Sequence, residues 1–198
     1  MIDTTYWDEI ADFGPDYHYE ESVDTEILVS LILKRCNSVF ECSVGTGIIA
    51  TMLRNAGFKG EYLGSDYAEK FIQSAQSHNP DEQFIFADLY APIPVPDNSY
   101  DCCVVHHGLD YVYPYKPALE ELKRIAKKYI FITFWVGFPD NDENLIRFNE
   151  EGKWNVNYYS KTEFYKTLEE LNLEVEQDIE MLGSDKKYNH LLMLKVCE

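Results

Sequence analysis

A glycine turn between a short apolar run and a helical pattern is the stretch best suited to chemistry. The apolar run 38–42 is followed by Gly45 and Gly47, and apolar residues at helical spacing begin at Ile48. Glycines let a backbone approach a ligand closely, and the free N–H groups at a helix N-terminus face that ligand. The segment Gly45-x-Gly47-x-x-Ala50 also fits the dinucleotide fingerprint. The pattern therefore predicts a nucleotide-type cofactor site without deciding which nucleotide.

Three acidic residues stand at the ends of successive apolar runs and could hold such a cofactor. They are Glu41, Asp66 and Asp88. In an open parallel sheet, ligands bind outside the carboxyl ends of the strands, near the point where the strand order reverses. Asp66 lies about 20 residues beyond the turn, where a carboxylate can accept hydrogen bonds from both ribose hydroxyls. Asp88 is placed for an exocyclic amine of the base, and the N–H of Leu89 for a ring nitrogen.

The elements that must position these residues alternate between strands and helices. The link between the last two strands is too short for a parallel crossover, so that pair is predicted to be antiparallel. The fold class is therefore α/β: a Rossmann-like open sheet of about seven strands, mostly parallel, with a C-terminal antiparallel hairpin and helices on both faces. The predicted helices are 22–36, 48–56, 68–77, 115–127 and 160–171, and the strands are 38–42, 61–65, 83–86, 100–105, 129–136, 173–181 and 189–196.

Size and charge limit the organisation and the partners of the chain. Its 198 residues suit a single domain, 1–198. The formal net charge of −18 would repel a phosphate backbone, so nucleic acid and anionic membranes are not expected partners. Acidic residues are dense over 1–26, and the first basic residue is Lys34. These acids form either a solvated arm or an arm that helps to admit an amine-bearing or cationic substrate.

Two segments depart from the alternating pattern. Residues 1–21 combine acids with aromatic residues, among them Tyr6, Tyr17 and Tyr19. Such a segment could be a lid, or its rings could simply dock the arm onto the domain. Residues 137–158 are predicted to be a loop-like insertion near the acceptor site.

Cysteine usage and hydropathy bear on the compartment. The cysteines at 36, 42, 102, 103 and 197 form no CxxC pair, and several lie within apolar runs. We expect reduced and mostly buried thiols in a cytoplasmic protein. Neither a secretory leader pattern nor an apolar run of roughly 20 residues is present in the sequence, so membrane insertion is not expected.

Residues 38–136 resemble the class I S-adenosylmethionine-dependent methyltransferases, of the small-molecule type. The acidic residue followed by Gly-x-Gly-x-Gly in that family reads here Glu41-Cys42-Ser43-Val44-Gly45-Thr46-Gly47, with Ser43 in place of the first glycine. A serine fits if the backbone there has an ordinary conformation. The resemblance implies S-adenosylmethionine as cofactor, S-adenosylhomocysteine as product and no metal. The implied cofactor contacts are Glu41, Ser43, Gly45, Gly47, Asp66, Tyr67, Asp88, Leu89, His106 and Tyr6.

The resemblance also places His106 and His107, after the fourth strand, along the methyl-transfer pocket. A histidine with a pKa near neutrality suits removal of the proton from an oxygen acceptor, so these two are the candidate catalytic residues. One of them could instead only pack against the cofactor. The Asn/Asp-Pro-Pro-aromatic run of amide N-methyltransferases is absent there, which favours a small-molecule O or N acceptor. The candidate substrate contacts are Tyr17, Tyr19, Asp110, Tyr111 and Trp154.

Two other functions remain compatible with the sequence. The serine at position 43 would suit a methyltransferase-like binding or scaffold protein without catalysis. A nicotinamide-dependent oxidoreductase is the second alternative. A nicotinamide-binding domain is not expected to have an acid just before the glycine turn or a reversed final strand, and both features are predicted in this chain.

Overall fold

A seven-stranded sheet forms the centre of the molecule. The computed structural model describes residues 22–146, 156–182 and 188–197. The strand order is β3-β2-β1-β4-β5-β7-β6, and β7 runs antiparallel to both of its neighbours. The other neighbouring pairs are parallel, so the predicted mixed sheet with a terminal hairpin is confirmed. The strands are β1 Ser38–Cys42, β2 Glu61–Asp66, β3 Gln83–Phe86, β4 Tyr100–His106, β5 Ala126–Phe134, β6 Leu173–Leu182 and β7 Tyr188–Val196.

Helices cover both faces of this sheet. They are α1 Val23–Arg35, α2 Ile48–Asn55, α3 Glu69–His78, α4 Lys116–Ile125 and α5 Lys161–Glu170. Leu28 of α1 and Ile49 of α2 share a buried cluster with one face of the sheet. Leu119 of α4 and Phe164 of α5 belong to the cluster on the other face. Because side chains alternate along a strand, β1 and β4 supply buried residues to both clusters.

The strand order reverses between β1 and β4. The chain moves outward from β1 to β2 and β3, then returns to place β4 on the other side of β1. Val39 of β1 pairs with Tyr62 of β2 on one side and with Cys102 of β4 on the other. The loops after β1 and β4 therefore leave the same edge of the sheet in opposite directions and open a crevice, which is where open α/β sheets bind ligands.

The boundaries of one helix and of the strand after it differ from the sequence-based expectation. The helix predicted over 115–127 ends at Ile125, and β5 covers Ala126–Phe134 rather than 129–136. The strand begins early because Ala126 pairs with Tyr100 of β4, and Lys127 and Lys128 lie at the register shift that follows. Lys127 Nζ donates to the carbonyl of Ser99 at 3.0 Å, and Lys128 Nζ lies 3.1 Å from Asp101 Oδ1. A short 3₁₀ turn, Leu109–Tyr111, was not predicted.

The thiols agree with the expectation of mostly buried cysteines. Cys36, Cys42, Cys102 and Cys103 are buried and free, and Cys197 is half-buried. Within the described ranges, no helix combines the length and the apolar character needed to cross a membrane.

Candidate functional site

The two glycines of the turn after β1 have different neighbours. Gly47 has φ +86°, and a Cβ there would lie 2.7 Å from Asn79 Nδ2 and 3.2 Å from Ala75 of α3. Asn79 Nδ2 donates to the carbonyl of Gly47 at 3.1 Å. Gly45 has φ +52°, and a Cβ there would meet nothing within 4 Å. Gly47 therefore lets α3 pack against the turn, whereas Gly45 leaves open space in which a ligand could approach the backbone.

Ser43 does not have the ordinary backbone that the sequence interpretation required. Its φ is +59°, in the left-handed region, so that condition was wrong. A side chain in this region costs about 1 kcal/mol relative to glycine. The serine is accommodated because residue 108 is a glycine: a Cβ on Gly108 would lie 2.4 Å from Ser43 Oγ. The irregular position in the motif is thus matched by a glycine after β4.

Glu41, just before the turn, is a buried carboxyl group with one strong donor. Its side chain is 1% exposed, and Tyr62 Oη donates to Oε2 at 2.5 Å. Burial raises the pKa of Glu41 to about 8, and the charge of Asp66 adds to this rise, whereas the bond from Tyr62 opposes it. Glu41 is therefore mostly protonated at pH 7 in this structure.

Asp66, at the end of β2, holds the glycine turn in place. Its side chain is buried, with Oδ2 accepting from Gly45 N at 3.1 Å and Oδ1 from Ala68 N at 3.0 Å. A carboxylate can accept several hydrogen bonds, which suits it to contact ligand hydroxyls. Asp66 is thus both a structural link to the turn and a suitable ribose contact.

The loop after β3 carries Asp88 and Leu89, which are both half-buried. Asp88 Oδ1 accepts from Tyr90 N at 2.9 Å. The hydroxyl of Tyr90 in turn accepts from Tyr113 N at 2.8 Å. This loop is therefore joined to the loop that follows β4. Tyr67, also predicted to contact the cofactor, is half-buried directly after β2.

His106 and His107 lie side by side at the carboxyl end of β4. Their rings stack with centroids 3.9 Å apart and planes at 29°, and Trp135 meets His107 edge-on at 4.9 Å. Their side chains are 14% and 16% exposed. His107 has φ +52°, and its N–H donates to the carbonyl of Thr133 on β5 at 3.0 Å. The two candidate catalytic rings are therefore held together and remain partly accessible.

Asp24, in the first turn of α1, completes this pair and was missed as a functional residue. Its Oδ2 lies 2.8 Å from His107 Nε2 and 4.0 Å from His106 Nδ1. Among the described residues, neither Asp24 Oδ2 nor His107 Nε2 has an aligned hydrogen-bond partner, so the two atoms are in close contact without in-line hydrogen-bond geometry. Asp24 is only 2% exposed. The interpretation of 1–26 as a solvated acidic arm is therefore wrong for this residue.

The charges of the cluster follow from burial and proximity. Burial would raise the pKa of Asp24, but His107, His106 and Ser22 together hold it well below the usual range. Burial, followed by the charge of His107, lowers the pKa of His106 well below its usual value, although Asp24 acts in the opposite direction. His106 Nδ1 also lies 2.6 Å from the hydroxyl of Thr133. At pH 7 the cluster thus holds an ionised carboxylate and a neutral His106.

The predicted substrate residues after β4 have different environments. Asp110 is fully buried, and both of its oxygens accept from Trp135 N at 3.2 Å. Burial raises the pKa of Asp110 to about 6, against the opposing charge of His107 and the backbone donors. Asp110 thus braces the chain beside His107, and its contact with substrate stays a prediction. Tyr111 is half-buried in the same turn.

The arm and the middle of the insertion lie outside the described residues, and so do Tyr6, Tyr17, Tyr19 and Trp154. Their roles stay predictions. The described end of the insertion contacts the loop after β4. Asn157 N donates to the carbonyl of Asp110 at 2.9 Å, and Tyr159, directly after the insertion, donates from Oη to the carbonyl of Leu109 at 2.8 Å. This part of the insertion therefore borders the histidine pair's loop.

Comparison with known proteins shows similarity to methyltransferases. Residues 40–132 match the family model of the methyltransferase domain. Demethylmenaquinone methyltransferase of Thermus thermophilus is 26% identical over 121 residues, which cover 59% of this chain and 52% of that protein. Its counterpart from Thermotoga maritima is 28% identical over 120 residues, 60% of this chain and 50% of that protein. The chain spans about half the length of these relatives.

Solved structures share the fold over most of the chain. One is a chain from the complex between the Haloferax volcanii Trm112 methyltransferase activator and a methyltransferase. It has a TM-score of 0.76 and 17% identity, covering 97% of this chain and 98% of that one. A second is magnesium protoporphyrin IX methyltransferase from Synechocystis PCC 6803, with bound S-adenosylhomocysteine. It has a TM-score of 0.70 and 14% identity, covering 88% of this chain and 82% of that one. Residues 40–132 therefore match the methyltransferase domain family, and the resemblance to the class I S-adenosylmethionine-dependent methyltransferases is confirmed.

Proposed function

We propose that this protein transfers the methyl group of S-adenosylmethionine to a small-molecule acceptor by in-line displacement. The observation that carries the proposal is the arrangement at the strand reversal. A glycine turn with open space at Gly45 follows β1, and Glu41, Asp66 and Asp88 stand at the ends of three adjacent strands. No other described part of the chain combines an approachable backbone with ordered carboxyl groups in this way.

The residues present fit the cofactor. Asp66 lies beside Gly45, where a carboxylate can accept from ribose hydroxyls, and half-buried Asp88 can accept from an exocyclic amine. Glu41 lies beside the turn, where a cationic ammonium group would favour its ionised form. When bound, S-adenosylmethionine supplies a methyl group activated by its sulfonium charge. The carboxyl-rich edge of the sheet suits a cofactor that carries both of these positive charges.

A small molecule is the acceptor that the charge and the relatives favour. The net charge of −18 disfavours nucleic acid. The relatives and neighbours are named for demethylmenaquinone and magnesium protoporphyrin IX, which are both small molecules. We propose that the methyl group is accepted by an oxygen or nitrogen atom. The acidic N-terminal segment favours an acceptor that carries an amine or another positive charge. The 1–21 arm and the 137–158 insertion are proposed to cover that acceptor within one domain, in the cytoplasm.

The chain's own residues have three tasks in this reaction. The turn and the strand-end acids orient the cofactor, because the displacement requires the acceptor atom close to the methyl carbon and in line with its bond to sulfur. The loops after β3 and β4 exclude water from that point. For an oxygen acceptor, His106 or His107 takes the proton, and both rings lie at the carboxyl end of β4.

Ligand-induced stabilisation tests the cofactor. S-adenosylmethionine and S-adenosylhomocysteine should raise the melting temperature, and a ligand at 100 times its Kd stabilises by about 2.7 kcal/mol. Asp66→Asn should abolish most of this shift. Asp97→Asn is the matched control, since Asp97 pairs with Arg124 beside the opposite end of β4. The proposal would be refuted if neither ligand raised the melting temperature, or if NAD raised it instead.

Turnover distinguishes an enzyme from a scaffold of the same fold. We would incubate the full chain with S-adenosylmethionine and a panel of phenols, quinols, porphyrins and amines, and measure formation of S-adenosylhomocysteine. Product that depends on the acceptor supports catalysis. Cofactor binding without turnover on any panel member would favour the binding or scaffold alternative, for which the serine at position 43 is the only support in the sequence.

A further inference from the structure

The cluster of Asp24, His106 and His107 joins the first helix to the predicted acceptor side of the site. One ligand atom from each of the three lies within 4.8 Å of the others. Such a group could bind a metal ion, form a purely structural ion pair, or position a histidine for proton transfer. The described contacts allow these uses to be compared.

The ring geometry disfavours a shared metal ion. A metal lies close to the plane of each imidazole that binds it, at about 2.0–2.1 Å from the nitrogen. The two rings are instead stacked, with centroids 3.9 Å apart and planes at 29°. One ion could not lie in both ring planes in this arrangement. His106 Nδ1, moreover, already contacts the hydroxyl of Thr133 at 2.6 Å.

Asp24 is built into the cluster as a fixed negative charge. It lies in the first turn of α1, where the helix dipole favours an anion. Ser22 Oγ donates to its Oδ1 at 2.5 Å, so its other oxygen, Oδ2, is directed to His107. A carboxylate that is 2% exposed is costly unless a partner compensates its charge. His107 Nε2, 2.8 Å from Oδ2, is such a partner.

The ring of His107 is held on several sides. His106 stacks on it, the edge of Trp135 contacts it, and its backbone N–H is bonded to Thr133. Nε2 faces Asp24, and within the described residues Nδ1 makes no hydrogen bond. The nitrogen turned away from the carboxylate is thus left for a ligand. Catalytic contacts are often poorly aligned before substrate binds, which accounts for the off-line contact between His107 and Asp24.

We propose that Asp24 is a positioning residue for His107: it holds Nε2–H, so that Nδ1 receives the proton of a hydroxyl acceptor. This inference rests on the proposed function. The acceptor's proton passes to Nδ1 as the oxygen–methyl bond forms and the methyl–sulfur bond breaks, with the electron pair remaining on sulfur. The imidazolium so formed is stabilised by Asp24, in the same way that a buried aspartate fixes the tautomer of a catalytic histidine.

The tautomer of His107 tests the inference without knowledge of the acceptor. ¹⁵N NMR of the full chain, with His107→Gln to assign the signals, should show hydrogen on Nε2 of the neutral ring. Asp24→Asn should shift the population toward the Nδ1–H form. Glu26→Gln is the matched control, because Glu26 is exposed in the same helical turn and carries the same charge. An Nδ1–H ring in the wild type, or an unchanged tautomer in Asp24→Asn, would overturn the inference.

Kinetics separates positioning from a structural role. With the best acceptor of the panel, Asp24→Asn should lower kcat at least 100-fold and change its pH profile, while the Kd for S-adenosylhomocysteine stays within twofold. Equal kcat in Asp24→Asn and Glu26→Gln would overturn the inference but not the proposed function. Failure of the wild type to bind S-adenosylhomocysteine would count against the proposed function itself. Tight Zn²⁺ binding that Asp24→Asn and His106→Gln both abolish would show a metal site instead.

Discussion

Tyr62 donates its phenolic hydrogen to Glu41 across the adjacent strands β1 and β2, at 2.5 Å, and both side chains are buried. The hydroxyl satisfies one oxygen of a carboxyl group that burial keeps mostly protonated at neutral pH. The acid that precedes the glycine turn is therefore set into the sheet by its neighbour. Its protonation links the cofactor side of the site to the stability of the fold.

Glu41 should make the unfolding free energy fall as the pH rises. Its pKa is raised from 4.5 to about 8, so its contribution is fully present below about pH 4.5 and is lost as the pH rises through about 8. Between pH 5.5 and 7.5, wild type should lose about 2–3 kcal/mol relative to Glu41→Gln, at about 1.4 kcal/mol per pH unit. Urea unfolding of both proteins at the two pH values measures this. A difference independent of pH would contradict it.

Gly47→Ala should destabilise the protein strongly through contact with α3. The added Cβ would meet Asn79 Nδ2 at 2.7 Å and Ala75 at 3.2 Å, at a φ of +86°. We expect a loss of about 2–4 kcal/mol in unfolding free energy. Gly57→Ala is the control, since Gly57 has φ +90° and nothing within 4 Å of the added Cβ. Its loss should be about 1 kcal/mol, from backbone strain alone. Equal losses in the two variants would show that the contact is unimportant.

Ser43→Gly should stabilise the protein and leave cofactor binding intact. Glycine relieves a side chain at φ +59°, which is worth about 1 kcal/mol, less the lost packing of the serine on Gly108. Chemical unfolding measures the gain, and calorimetric titration with S-adenosylhomocysteine measures the affinity. Ser43→Ala keeps the strained conformation and serves as the comparison, with no expected gain from the backbone. A large gain in affinity for Ser43→Gly would mean that the serine impairs cofactor binding.

Tyr90→Phe should loosen the loop after β4 without weakening the fold. The amide of Tyr113 donates to Tyr90 Oη at 2.8 Å, and phenylalanine removes that acceptor. Hydrogen exchange at the Tyr113 amide should accelerate at least tenfold, while the amide of Leu119, which bonds to Tyr115, stays unchanged. Tyr90 is 42% exposed, so unfolding free energy should fall by less than about 1 kcal/mol. Unchanged exchange at Tyr113 would show that this bond is not maintained in solution.

The hydrophobic periodicity of the sequence was sufficient to predict the strands and helices. Most of these elements alternate in type along the chain and are separated by turns, where the periodicity is interrupted. The start of β5 was misplaced because Lys127 and Lys128 continue a helical pattern, and their partners Ser99 and Asp101 are distant in the sequence. The strand-end acids could be found because parallel strands bring their carboxyl ends to one edge.

Asp24 could not be recognised from the sequence. It is one of many acids in the first 26 residues, and its burial beside His107 is seen only in the folded structure. The left-handed backbone of Ser43 was hidden for a similar reason, since the space for it is provided by Gly108, far along the chain. Both features depend on contacts between elements, which local patterns do not encode.

The link through Tyr90 has a kinetic consequence. The backbone N–H of Tyr90 donates to the carboxylate of Asp88. The hydroxyl of Tyr90 accepts from the amide of Tyr113 and contacts the carbonyl of Tyr111. A base seated against Asp88 would therefore restrain the chain that borders the acceptor. We expect the two reactants to bind in a compulsory order, cofactor first, so that product inhibition by S-adenosylhomocysteine is competitive with cofactor and mixed with acceptor.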